Sequence, residues 1–237
     1  MVWPAPSDYP DGLSDDPVRD LKANAAQPIF IPVNRDSYCQ LSARVHEAAP
    51  RLRRIDAIQV PDLQGSLEVW VPQLDCFEQW LDQYRAAQEL GNEVWLYTAC
   101  APQGKYPNRM IDSSAIKPRV LHWLNALYET DGYLHWGLNW WDTPWHSYAP
   151  GDQCICWPSE RFIANSSLRY EAEREGLEDC ELMFMVRDKL MAGGATREAA
   201  QQRMEAIGRK AVHSIQDYTR SWRGLESARR ELLQQLR

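Results

Sequence analysis

Short runs rich in β-branched and aromatic residues alternate with helix-length stretches through most of this 237-residue chain, and that alternation restricts the fold more than any other feature. Strands joined by connections of a dozen or more residues pair in parallel, whereas antiparallel neighbours need only a tight turn. The strand candidates are PIFI (28–31), RRIDAIQV (53–60), LEVWVPQ (67–73), EVWLYTAC (93–100) and GYLHWGLNWW (132–141). Between them, Ser37 is the expected cap of a helix running to Ala49, before Pro50. Asp75 is expected to cap a single helix over 76–90, with Phe77, Trp80, Leu81 and Tyr84 on one face before Gly91. A further helix spans 115–129, where Pro118 is tolerable only in the first turn. Ser166 or Ser167 caps a long one reaching Leu190.

About five parallel strands, where a complete barrel takes roughly 250 residues, predict an α/β fold: a partial (β/α)8 TIM-type barrel, about its last five strands, with a C-terminal helical extension. Residues 1–28 read as a poorly ordered lead-in, 29–190 as the partial barrel and 191–237 as the extension. After the Gly193-Gly194 break, one helical segment carries a stripe through Met204, Ile207, Ala211, Ile215, Tyr218, Trp222, Leu225, Ala228, Leu232 and Leu236. That stripe is too long to leave in water. It folds back along 168–190, where Met183, Val186 and Leu190 offer apolar contact, or it serves self-association through the C-terminal helix.

A net charge of −7 argues against a nucleic-acid partner. The chain as given shows no signal-like start and no apolar run near the roughly 18 residues of a membrane span, so no membrane partner is expected and a cytoplasmic setting is the default. The six cysteines lack a CxxC pair and read as free, mostly buried thiols. His122, His135 and His146 have no ligand spacing and read as core or loop residues; no metal and no cofactor are expected.

Seven of the eleven tryptophans fall between Glu93 and Trp157, clustered where the last two strand candidates give way to loops. One tryptophan is usually core. A group at strand ends suits a ligand with C–H faces and hydroxyl edges, above all a sugar ring.

Three blocks, VWLYTACAPQGKYPNRMIDSSAIKPRVLHW, DGYLHWGLNWWDTPW and SLRYEAEREGLEDCEL, together resemble the catalytic domain of glycoside hydrolase family 123, a family associated with β-N-acetylgalactosaminidase activity. The resemblance implies a (β/α)8 barrel with its site at the C-terminal ends of the strands. It also implies substrate-assisted chemistry, in which the sugar's acetamido group attacks its own anomeric carbon, helped by an adjacent Asp-Glu pair. It places Tyr97, Trp136 and Asn139 against an amino-sugar ligand: Trp136 as stacking floor or core side chain, Tyr97 through its hydroxyl or as a buried phenol. Trp141 is a rim candidate, and Tyr106 a rim candidate or a plain loop residue.

The strand where the acid pair belongs reads Ile29 to Asn34, with no carboxylate before Asp36, which a helix start would favour anyway. No catalytic residue is therefore assigned. Asp112 and Arg119 also match and are expected to pair, pinning the long loop. Arg169, Glu171, Arg174, Glu178 and Asp179 read as a charge network on a solvated or half-buried face. The expected protein is a truncated glycoside hydrolase-like chain that acts on or binds N-acetylhexosamine-containing glycans, or else a non-catalytic carbohydrate-binding or scaffold protein.

Overall fold

The computed structural model describes residues 35–141, 149–160 and 164–237. The expected strand PIFI and His146 lie outside them. Among the described residues, α1 (Arg35–Ala48) leads to β1 (Ile55–Ile58) and β2 (Val69–Pro72), followed by α2 (Leu74–Gln79), α3 (Leu81–Glu89) and β3 (Glu93–Tyr97). Then come α4 (Ile116–Tyr128), β4 (Gly132–Leu134), α5 (Leu168–Ala192), α6 (Arg197–Gly208) and α7 (Trp222–Gln235). The sheet is parallel throughout, and its strands lie side by side in the order of the sequence.

Period-two alternation in β3 sorts its side chains. Val94 and Leu96 are fully buried in the helix-covered core, while Glu93, Trp95 and Tyr97 occupy the opposite face, half-buried. On that face the Trp95 ring lies across the backbone of Gly132, where a Cβ would come within 2.7 Å of it. Only glycine permits β4 to pair so closely under that ring.

Several local expectations are corrected. The helix over 76–90 is two helices, broken at Trp80 (φ −119°, ψ 32°), and the break brings Phe77 and Tyr84 into a stack at 6.0 Å. The residue preceding α2 is Gln73; Asp75 sits in the first turn, accepting from its neighbours Cys76 N and Gln73 Nε2. Ser37 lies inside α1 instead of capping it. The run GYLHWGLNWW is a strand for only three residues, because β3 ends at Tyr97 and leaves nothing to pair with beyond Leu134. Its remainder is an arm held antiparallel to residues 153–156, through Trp140 N to Gln153 O (3.0 Å) and Ile155 N to Leu138 O (2.9 Å).

Ser167 caps α5, its hydroxyl accepting from Tyr170 N. Gly176 of α5 rests on α4, where an added Cβ would stand 2.5 Å from the Arg119 carbonyl oxygen. Beyond the break at Gly193-Gly194 there are two helices, α6 and α7, and not one; the segment between them closes on a bridge from Val212 to Tyr218. Eight of the ten stripe residues are buried, in one cluster with Met183, Val186 and the residues of α4. Trp222 stays exposed, with the Arg119 guanidinium 5.3 Å from its ring. All six cysteines are free, and burial pushes the Cys180 thiol up to about 12.

Candidate functional site

The C-terminal ends of β2, β3 and β4 bring polar groups to one rim of the sheet. Gln73, just past β2, bridges Tyr97 at the end of β3, and Tyr97 stands in register with Leu134 at the end of β4. Tyr97 is half-buried, and its phenol is pushed up to about 12 by burial and by the negative charge of Asp152. Trp136, two residues past β4, is 49% exposed and donates its indole N–H to Asp152 Oδ2 at 2.8 Å. Tyr97 and Trp136 thus share Asp152 as a neighbour.

Asn139 is exposed on the arm, bridging Cys154. Trp141 is exposed as well and donates to Cys156 O at 2.9 Å; between them Trp140 shows more than half of its surface. Trp136, Trp140 and Trp141 thus give the arm an open aromatic character, whereas Trp123 of the same sequence cluster is pure core. Tyr106 is engaged elsewhere. Its hydroxyl donates to Glu78 Oε2 (2.7 Å) and accepts from Gln216 Nε2 (3.0 Å), joining α2 to the segment between α6 and α7.

Behind the rim lies a buried charged cluster that periodicity does not single out. Arg109, from the long loop, approaches His135 Nδ1 at 2.8 Å, Glu173 at 3.4 Å and the Gly137 carbonyl. His135 Nε2 faces Asp152 Oδ1 at 3.1 Å, somewhat out of line, and neither atom has another partner among the described residues. Burial holds the His135 imidazole below its ordinary pKa against the opposing pull of Asp152. Burial pushes Glu173 up, but His122 and Arg109 outweigh it and keep the carboxyl below the usual range. The only sequence cue was polarity: Arg109 and Asp152 stand in loops and His135 in an aromatic run, and no spacing links them.

Arg169 ties this region together from α5. Its Nη1 donates to the carbonyls of Arg109 (2.5 Å) and Gly151 (2.7 Å), and its Nη2 to that of Cys154 (2.7 Å). It is buried, as is Asp179, so the charge block on α5 is only partly a surface network. Arg174 does bridge Glu171 (2.9 Å) and Glu178 (2.8 Å) on the exposed side. The expected Asp112–Arg119 pair is not formed. Asp112 is exposed in the turn before α4, while Arg119 points into the α4–α5 contact and binds Asp179 (2.6 Å), Glu175 (2.9 Å) and Glu226 (2.8 Å). Asp36 is exposed in the first turn of α1. No group of three His, Cys, Asp or Glu poised to hold a metal occurs among the described residues.

A family profile described as the glycoside hydrolase 123 catalytic domain matches residues 29–186. The chain belongs to glycoside hydrolase family 123. A family 123 glycoside hydrolase from Clostridium perfringens, studied for glycolipid glycan hydrolysis, has a similar fold: TM-score 0.54 at 17% identity, over 78% of this chain and 34% of that one. The chain thus spans about a third of the length of that solved family 123 protein. No curated protein matches it in sequence. The exposed aromatic side chains of the arm lie past the end of β4, on the side of a parallel α/β sheet where ligands are commonly held.

Proposed function

We propose that this family 123 chain binds N-acetylhexosamine-containing glycans at the rim formed by Tyr97, Trp136, Asn139 and Trp141, without the Asp-Glu pair that turnover needs. The observation that carries the reading is Trp136: a half-exposed indole past the end of β4, held by a buried carboxylate, with two more exposed tryptophans further along the same arm. The in-order parallel sheet supports taking the described part of 29–190 as consecutive units of a (β/α)8 barrel, followed by 191–237 as a helical extension, while the expected lead-in 1–28 lies outside the described residues. The burial of the C-terminal stripe favours its folding back within one chain over self-association. Absence of an acid pair is supported by the engagement of the carboxylate that Trp136 touches. Asp152 has one oxygen on Trp136 and the other facing His135, and no Asp-Glu dipeptide occurs in the sequence. Catalysis completed by strands from another polypeptide is the second reading, favoured by family membership.

Titration with N-acetylgalactosamine and N-acetylglucosamine, followed by indole fluorescence, tests the proposal. Binding should weaken by at least about tenfold in Trp136→Ala, as loss of a central aromatic anchor does. The purified chain should not cleave a chromogenic β-N-acetylgalactosaminide. Absence of binding, or turnover that a single carboxylate substitution abolishes, would overturn it.

A further inference from the structure

We propose that Asp152, backed by His135 and Arg109, is a positioning residue that fixes the Trp136 ring as a stacking platform; this rests on the binding reading above. Trp136 is half-exposed on an arm beyond the end of β4, so packing alone does not hold its ring. The hydrogen bond from its indole N–H to Asp152 Oδ2 supplies the missing restraint.

Proton polarity makes the arrangement directional. A guanidinium can only donate, so the contact from Arg109 makes His135 Nδ1 the acceptor, and Gly137 N at 3.2 Å donates to the same atom. In the neutral ring the proton therefore sits on Nε2, facing Asp152 Oδ1 at 3.1 Å. Both atoms are buried with no other partner among the described residues, and buried polar groups are almost always satisfied. Protons run from Arg109 to His135 to Asp152, and Trp136 donates to the same carboxylate from the other side. Arg109 is itself braced by Glu173 and the Gly137 carbonyl.

The consequence for recognition is chemical. With its single N–H committed to Asp152, Trp136 can offer a ligand only the face of its ring. The favoured ligand class is a pyranose presenting a patch of C–H groups on one side, and not a planar anion or a group that needs an indole donor.

Isotope-labelled indole N–H resonances report the arrangement directly, with Trp136→Phe assigning the Trp136 signal. The Trp123 indole, bonded to buried Asp179 at 2.8 Å, is an internal control for an intact core. His135→Leu and Asp152→Asn should shift the Trp136 signal towards that of a free indole and speed its solvent exchange, leaving Trp123 unmoved. Asparagine fails because it cannot accept from the indole and from His135 together. His135→Gln should restore the signal, since its oxygen accepts from Arg109 and its amide donates to Asp152. Amino-sugar binding should weaken about threefold to tenfold in the first two variants, the cost of ordering one side chain on association, and recover in the third. An unmoved Trp136 signal in both Asp152→Asn and His135→Leu overturns the proposal even where binding persists. Should His135→Leu lose the Trp123 signal too, Asp152→Asn and the glutamine rescue decide alone. Binding that is indifferent to Trp136→Ala would instead overturn the platform reading, whatever the resonances show.

Discussion

Single side chains here carry unequal weight, and burial of charge decides which matter. Asp179 is fully buried and accepts from Arg119 (2.6 Å), Trp123 (2.8 Å) and Arg229 (2.8 Å). Asp179→Ala takes the acceptor from the buried Arg119 Nε and Trp123 indole N–H, leaving Arg119 only the half-exposed Glu175 and Glu226, so urea denaturation should register a loss of about 3–5 kcal/mol. Arg174→Ala, which breaks two exposed pairs, should cost under about 1 kcal/mol in the same assay. His135 sets a pH dependence. Its pKa in the folded chain lies below the ordinary value of about 6.5. As pH falls through that value the unfolded chain takes up a proton that the folded chain refuses, so stability falls until the folded pKa is reached. Urea melts at pH 7.5 and about 5.5 should show a smaller fall in His135→Gln than in the parent chain. None of these roles is legible one residue at a time. Arg109, His135 and Asp152 come from a loop, an arm and a second loop, and only the folded chain makes them neighbours.

Elements were more legible than their ends. Composition and hydrophobic periodicity located α4, α5 and every described strand, including β1, of whose four residues only Ile58 is buried. They overran wherever a partner stopped first: GYLHWGLNWW kept its strand-like composition past Leu134, where β3 no longer ran alongside. Likewise the C-terminal stripe stayed continuous in sequence across a loop, since residues 209–221 bury apolar side chains without being helical. Contact between elements leaves a sharper test at Gly176. Alanine there would gain about 1 kcal/mol of helix propensity, yet its methyl would meet the Arg119 backbone. Gly176→Ala should therefore destabilise by about 1–3 kcal/mol, read as a lower thermal midpoint.

At the scale of the molecule, one core spans the sheet, α4, α5 and the C-terminal helices. Deleting 195–237 would remove Met204, Ile207, Ile215, Tyr218, Leu225 and Leu232 from it. Each large apolar side chain buries about 1.5–3 kcal/mol against a total stability of about 5–15 kcal/mol. The truncated chain should show no cooperative thermal transition; a retained transition would mark the helices as dispensable. Arg169 has a different bearing on the whole. It grips the loops at Arg109, Gly151 and Cys154 by their carbonyls, and a carbonyl is the one group every residue type possesses. Gly151 is the exception, because its φ of +82° and the Arg169 Nη1 that a Cβ would meet at 2.7 Å demand glycine; elsewhere in these loops side chains can change while the anchorage, and with it the position of the rim, is inherited.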